Sequence, residues 1–276
     1  SPVSVEIGAS AKLELKGEIP ATSMGRLVDT LTDAIRPFTE ARGLKADQIR
    51  LQREEVLIEI ARLAKTRLEI EGKEIKEVPN RVLVPLLEKA SLAEFNSDFL
   101  VTTWANLLYA STTGNTKNIS IFVDLLSQMD KEHLVFLEYL FEIADSKQVS
   151  DDFLDLPTHK LKHVFSQFCR NAREEKLWDN DQAFDDANDK LIEEIERPGL
   201  KVISGGIEGR DIYGSISGKF SEQIYNPLAG RGLIEFERFD LESGSPDESD
   251  WIYCIRATLF GADFVSTCKF GKSLFD

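Results

Sequence analysis

The sequence has no apolar run long enough to cross a bilayer, and it contains little cysteine. A spanning helix needs about 18 to 20 uncharged apolar residues in a row, and none of the 276 residues starts such a run. The three cysteines are too few and too scattered for a disulfide framework. We interpret Cys254 and Cys268 as small core residues. With no secretory signal pattern at the start of the sequence, we expect a cytoplasmic protein.

Basic residues are also scarce, because 33 lysines and arginines face 48 aspartates and glutamates, for a net charge of −15. The acidic excess lies in residues 90–276, since residues 1–89 carry equal numbers of both signs. A surface of this sign repels phosphate backbones, so we do not expect nucleic acid as a general partner. A hydrophobic content of 42% together with 29% charged residues is typical of a folded globular protein.

Residues 1–21 are predicted to form an N-terminal arm. Apolar and polar residues alternate throughout 3–15, which is the pattern of a half-buried β-strand. A lone strand needs a partner, either elsewhere in the chain or in the same segment of another protomer. The candidate residues for assembly through this strand are Val3, Val5, Ile7, Leu13 and Leu15.

Residues 22–72 change to helical periodicity and predict amphipathic helices. The longer of them covers residues 46–71 and carries one apolar seam among many charged residues. That seam can pack on the rest of the chain or on its counterpart in an oligomer, and the sequence leaves both alternatives open.

Residues 73–142 form the most apolar part of the sequence and predict a bundle of four short helices. We expect Pro79 to start a helix, Pro85 to kink or divide it, and Trp104 to fill core volume. The candidate core residues of this region are Pro79, Pro85, Leu86, Leu87, Trp104, Ala105, Leu107 and Leu108.

Residues 143–276 predict an acidic helical segment followed by an α+β unit. Residues 212–229 are helical in pattern towards their end, and two strands over 233–239 and 251–257, joined by a polar loop, follow them. A helix followed by such a hairpin is the layout of a winged helix. The predicted fold class is therefore mainly α: a helical bundle with an N-terminal β-strand and a C-terminal winged-helix-like unit.

No pattern in the sequence indicates catalysis, a cofactor or a metal. His159 and His163 lie one helical turn apart, but no motif supplies a third ligand. The calcium-loop-like start at Asp179 fails because Phe184 and Lys190 occupy the positions that need glycine and glutamate. The glycines of 205–209 are interpreted as turns and not as a phosphate loop. We therefore expect a protein that is not an enzyme, has no catalytic residues and uses no cofactor or metal.

Three motifs carry a family resemblance. Residues 85–91 read Pro-Leu-Leu-Glu-Lys-Ala-Ser, residues 104–108 read Trp-Ala-Asn-Leu-Leu, and residues 126–130 read Leu-Ser-Gln-Met-Asp. With the tail around Asn226–Ile234 and Thr258–Phe264, they resemble the Abi-alpha family of abortive-infection proteins over roughly residues 45–268. The N-terminal stretch ending at Ile35-Arg36-Pro37 is similar to another bacterial family of unknown function.

The resemblance implies a bacterial protein that helps to defend against phage, and it supplies no catalytic residues. The leading hypothesis is a helical interaction protein with protein partners, self-assembling through the N-terminal strand into a homo-oligomer. A second hypothesis is a membrane-perturbing effector that uses the same alternating strand. A DNA-binding regulator using the winged-helix-like unit is a third, although its candidate recognition helix offers little beyond Lys219 and Arg231. An unrecognised hydrolase is the fourth.

Overall fold

The computed structural model describes residues 44–73, 75–76, 78–93, 98–114, 117–141, 158–207, 210–241 and 250–270. The predicted N-terminal strand, with Val3, Val5, Ile7, Leu13 and Leu15, lies outside these residues, as does the predicted helix ending at Arg36. The division of the chain into four segments stays a prediction.

Helices dominate the described residues, and a small antiparallel sheet follows them in the chain. The first five helices are α1 (Leu44–Glu71), α2 (Asn80–Ala90), α3 (Asp98–Thr112), α4 (Ile119–Leu126) and α5 (Lys131–Phe141). The remaining elements are α6 (Thr158–Glu174), a 3₁₀ turn (Leu177–Asp179), α7 (Asp181–Ile195), β1 (Leu200–Ile207), β2 (Arg210–Tyr213), α8 (Glu222–Gly230), β3 (Ile234–Leu241), β4 (Asp250–Ala257) and α9 (Leu259–Phe270).

Helix α3 lies at the centre of the bundle because its sequence is apolar on almost every side. Each residue from Thr103 to Thr112 is buried, which is the expected environment for a helix without a polar face. Helix α1 packs along it with the buried seam Val56, Ile60, Ala64 and Leu68. Within the described chain, the seam that the sequence left open between two partners therefore contacts the chain's own bundle.

The two helices run in the same direction. Arg67 of α1 forms a hydrogen bond with Asn106 of α3, and Glu71, one turn further along α1, forms one with Tyr109, which lies further along α3. The residue numbers of the bonded partners therefore increase together along both helices. Along α1, the buried seam begins at Val56, and none of the described side chains from Leu51 to Glu55 is buried.

The sheet has the strand order β2-β1-β4-β3, and all its pairs are antiparallel. One face carries Val202, Ile252 and Cys254 and packs against Phe165 of α6 and Leu191 of α7. The opposite face, which includes Ile234, Ile255 and Ala257, belongs to the same apolar core as the helical bundle. The sheet is thus a middle layer between two groups of helices.

The mainly helical fold is confirmed, and so are the four helices of the central region and the strands β3 and β4. Strand β4 also pairs with β1, which makes the predicted hairpin one half of a larger sheet. The winged-helix description stays a prediction.

One local prediction is wrong. Gly205 and Gly206 lie within β1 and not in a turn; β1 and β2 form a hairpin, and a Cβ at Gly206 would lie 2.8 Å from the indole nitrogen of Trp251. Of the two alternatives for Pro85, division of the helix is excluded, because α2 continues through this residue. The amide that proline lacks would have bonded to the carbonyl of Arg81 in the exposed first turn, where water can satisfy that carbonyl.

Helix α9 is fixed to the turn before β3 by two residues of the tail motif. The hydroxyl of Thr258 donates to the carbonyl of Gly232 at 2.6 Å and accepts the amide of Gly261 at 2.9 Å. A Cβ at Gly261 would stand 1.9 Å from the carbonyl oxygen of Leu233. Glycine is therefore required at 261 because α9 approaches a backbone carbonyl directly.

We predict that Gly261→Ala lowers the free energy of unfolding by about 2 kcal/mol or more, because the backbone of Leu233 must move. The matched control is Gly230→Ala, since a Cβ at Gly230 in α8 meets nothing within 4 Å. Chemical denaturation followed by circular dichroism measures both. Equal stability of the two variants would contradict the close approach of α9.

Candidate functional site

An open groove lies at the end of the bundle where α3 begins. Its walls come from the C-terminal end of α2, the first half of α3 and the connection between α4 and α5. The first two sequence motifs contribute one lining residue each, Lys89 and Trp104, and the third motif contributes most of its residues. The groove has a volume of about 1030 Å³, and its apolar surface comes from Leu92, Ala93, Phe99, Leu100, Trp104, Leu126 and Met129.

The floor of the groove belongs to the protein core. Trp104, Leu126 and Met129 are almost completely buried, and the packing of the bundle fixes their positions. Phe99 and Leu100 are half-buried. Leu92 is 60% exposed at the edge, which is unusual for a large apolar side chain next to other apolar surface.

The rim carries both charges with an acidic excess. Lys89 forms an ion pair with Asp124, which neutralises its charge. Asp98, Asp130 and Glu132 are exposed carboxylates, and Lys131 is the cation beside them. A ligand for this groove therefore needs an apolar surface and tolerance for a mixed, mainly acidic border.

A polar network lies deeper in the bundle, one to two turns along α3 from the groove. The guanidinium of Arg67 donates to the side-chain oxygen of Asn106 at 2.6 Å and to Glu71 at 3.0 Å. The hydroxyl of Tyr109 donates to the second oxygen of Glu71 at 2.7 Å. Arg67 also lies 4.6 Å from the centre of the Tyr109 ring.

Asn106 extends this network to the last turn of α9. Its amide nitrogen donates to the carbonyl oxygens of Cys268 at 2.8 Å and Lys269 at 2.7 Å. The last carbonyls of a helix have no partner within the helix, so this side chain caps α9. Asn106 occupies the variable position of the Trp-Ala-x-Leu-Leu motif, and here that position joins three helices.

The structure places the predicted motif residues in two environments. Leu86, Leu87, Ala105, Leu107 and Leu108 lie in the core, and Pro79 directly precedes α2. Pro85 is half-buried within α2. Trp104 reaches the groove as well as the core.

Sequence reasoning missed the groove residues Lys89, Leu92, Asp98, Phe99 and Leu100 as a site. The available signal was Leu92, an apolar residue directly after the Ala-Ser pair that ends α2.

The cysteine thiols are placed for packing. Burial raises the pKa of Cys254 and of Cys268, and nearby carboxylates raise both further. The reactive form of cysteine is the thiolate, so neither thiol is a nucleophile at neutral pH. Both residues lie in the core, as their sequence context predicts.

Within the described ranges, no three side chains of histidine, cysteine, aspartate or glutamate converge on a point that could hold a metal ion. His163 is exposed on α6, and the side chain of His159 lies outside the described part of the structure. The same ranges contain no helix with the length and apolarity that a membrane crossing requires.

Fold and groove together define a mainly helical protein with a small antiparallel sheet and an apolar surface at one end of its bundle. The model of one protein family, described as "Abortive infection alpha", matches residues 52–268. The matched range runs from α1 to the last turns of α9 and includes the groove. The chain belongs to this family.

Comparison with curated proteins and with solved structures gives no significant match.

Tyr109 offers a spectroscopic test of the polar network. Burial, followed by the hydrogen bond to Glu71, raises the pKa of Tyr109 to about 12. The folded state therefore favours the neutral phenol. This contribution to stability is complete below the unfolded pKa of about 10 and is lost as the pH rises towards 12.

Burial also raises the pKa of Tyr225, so Tyr109 is not alone in ionising late. We predict that Tyr109→Phe removes the equivalent of one tyrosine from the late component of an ultraviolet titration of the folded protein. Between pH 10 and 12 the wild type should lose up to about 3 kcal/mol of stability that the variant does not lose. Tyr213→Phe is the control, since that tyrosine is 63% exposed. A late component of undiminished amplitude in Tyr109→Phe would show that the assignment is wrong.

Proposed function

We propose that this chain is a non-enzymatic interaction protein of bacterial antiphage defence, and that the groove at the start of α3 is its contact surface for protein partners. Membership of the abortive infection alpha family supports the defence role. The observation that carries the contact role is a solvent-open groove with an apolar floor and a polar rim, to which all three sequence motifs contribute residues.

The chemistry of the groove favours binding over catalysis. Its floor is apolar and rigid, and its charged groups lie at the exposed rim, where water screens them. Apolar floors with charged rims are typical of protein interfaces.

The contacts of the two cations that flank α8 favour packing over DNA readout. Lys219 lies 3.8 Å from the centre of the Tyr139 ring, and Arg231 donates to the carbonyl of Pro227 and the side chain of Gln128. Both cations that the sequence offered for DNA recognition thus already have partners within the chain. We propose that the winged-helix-like unit serves as a packing module.

The hypothesis of assembly through residues 3–15 is retained as part of this proposal, as are a cytoplasmic location and a homo-oligomeric state. The membrane-perturbing hypothesis depends on the same strand and stays a prediction.

The test is a phage challenge of bacteria that express the wild type, Leu92→Glu or Ile121→Glu at equal levels. Leu92→Glu places a charge on the apolar edge of the groove. Ile121, 50% exposed on α4, is the matched control because it does not line the groove.

We expect the wild type and Ile121→Glu to lower phage plating at least tenfold, with infected cells dying before phage release. Leu92→Glu should plate like cells without the protein. No protection by the wild type would contradict the defence role, and full protection by Leu92→Glu would contradict the use of the groove.

A further inference from the structure

Part of the sheet is exposed on the face that shares the core of the helical bundle. Strand pairing places Tyr213 of β2, Ser204 of β1 and Tyr253 of β4 side by side in one row across this face. The residues next to the tyrosines, Ile212 and Ile252, lie in the core on the opposite face. Tyr213 is 63% exposed, and Ser204 and Tyr253 are half-buried. The row therefore forms an open cleft with a tyrosine on each side of a small residue.

The next row along the sheet borders one end of this cleft and contains Asp211, Gly206 and Trp251. The indole of Trp251 lies over Gly206, since a Cβ on that glycine would be 2.8 Å from the indole nitrogen. Asp211 is exposed and accepts a hydrogen bond from the Tyr213 hydroxyl at 3.4 Å. We refer to the space bounded by Ser204, Asp211, Tyr213, Trp251 and Tyr253 as the tyrosine cleft.

An arginine, a carboxylate and an aromatic ring occur together three times elsewhere in the chain. In each case the guanidinium pairs with the carboxylate at 2.9–3.0 Å and lies 4.6–5.1 Å from the centre of the ring. A guanidinium suits this arrangement because it is planar and weakly hydrated, so it can stack on a ring while its N–H groups bond to the carboxylate. The three groups are Arg67 with Glu71 and Tyr109, Arg210 with Asp181 and Phe184, and Arg238 with Asp240 and Trp251.

The tyrosine cleft has the carboxylate and the rings of such a group without the cation. Within the described chain, Asp211 forms no ion pair. Arg238 lies in the same row as Tyr253, but it is already paired with Asp240 at 2.9 Å. Adjacent strands are about 4.8 Å apart, so a cation above β1 lies about 5 Å from both ring-bearing strands, within the cation–π range of about 6 Å. The cleft is therefore complementary to a cation in both charge and spacing.

The openness of the cleft favours a side chain of another protein over a free small molecule. Because Tyr213 is mostly exposed, a ligand beside it stays in contact with solvent, whereas pockets for small molecules bury about 70–90% of their ligand. Tryptophan, tyrosine and arginine are also the residues that contribute most to protein interfaces, and Trp251, Tyr213 and Arg238 lie together on this face.

We propose that the tyrosine cleft binds an arginine side chain presented by a protein partner, with the guanidinium between the rings of Tyr213 and Tyr253 and bonded to the carboxylate of Asp211. This surface is separate from the groove at the start of α3 and does not depend on the proposed use of that groove. The partner surface around the arginine is neutral or basic, because the chain's net charge of −15 repels an acidic one.

The first experiment measures the binding of three capped peptides, Gly-Arg-Gly, Gly-citrulline-Gly and Gly-Lys-Gly, to the full chain by saturation-transfer NMR. Citrulline has the shape of arginine without its charge, so it is the matched control. The arginine peptide should bind at least fivefold more tightly than the citrulline peptide, and more tightly than the lysine peptide because an ammonium group does not stack on a ring. Failure of the arginine peptide to bind, or equal binding by either of the others, would overturn the proposal.

Variants locate the binding. Asp211→Asn and Tyr213→Ala should each weaken binding of the arginine peptide at least fivefold, and circular dichroism should show an unchanged fold because both residues are exposed. The matched control is Asp189→Asn, which removes the same charge from the exposed face of α7 and should bind like the wild type. Leu92→Glu in the groove should also bind like the wild type. Equal weakening by Asp211→Asn and Asp189→Asn would mean general attraction to an acidic surface, and the cleft would not be the site.

The indole N–H signals in an NMR spectrum of the folded protein give a second location. The signal of Trp251, assigned by its loss in Trp251→Phe, should shift when the arginine peptide is added. The signal of Trp104, which is buried at the floor of the groove, should not. A shift of Trp104 with none of Trp251 would place the peptide in the groove and contradict the assignment.

Two further measurements test the source of the arginine. Agmatine, a free guanidinium compound, should bind no more tightly than the arginine peptide, and binding at least tenfold tighter would show a small-molecule site instead. Light scattering should give the same mass for the wild type and Asp211→Asn. An oligomer of the wild type that Asp211→Asn abolishes would assign the arginine to a second copy of the chain and overturn a different protein as its source.

Discussion

The burial of α3 on all sides is the constraint on which the rest of the structure depends. A helix with no polar face must be surrounded, and α1, α2, α4 and α9 surround it. Its few polar residues then need partners inside the core. Asn106 finds them in Arg67 and in the last carbonyls of α9, which fixes the positions of α1 and α9 against α3.

The groove follows from this arrangement, because the ring of helices around α3 is complete along its second half and open at its start. Trp104 marks the boundary: its side chain fills the core and also forms part of the groove floor. Core packing therefore creates the groove.

Local patterns predicted the helices well and the long-range structure poorly. Helical periodicity correctly predicted the central helices, and apolar alternation correctly predicted the strands β3 and β4. Strand β1 was missed because Gly205 and Gly206 resemble a turn, and only the approach of Trp251 explains them. Lys201 is nearly buried in that strand and pairs with Glu196 at 3.6 Å, a contact that no sequence pattern shows. The groove is built from residues that are far apart in the chain. The motifs contain some of these residues, but no motif predicts that they lie together.

The most direct measurement of the central claim is photo-crosslinking in infected cells, with a photoreactive phenylalanine analogue at position 92 and, as the control, at position 121. The account predicts a discrete protein adduct from position 92, formed by a second copy of the chain or by a partner, and little or none from position 121. No adduct from position 92, or the same adducts from both positions, would contradict a contact role for the groove.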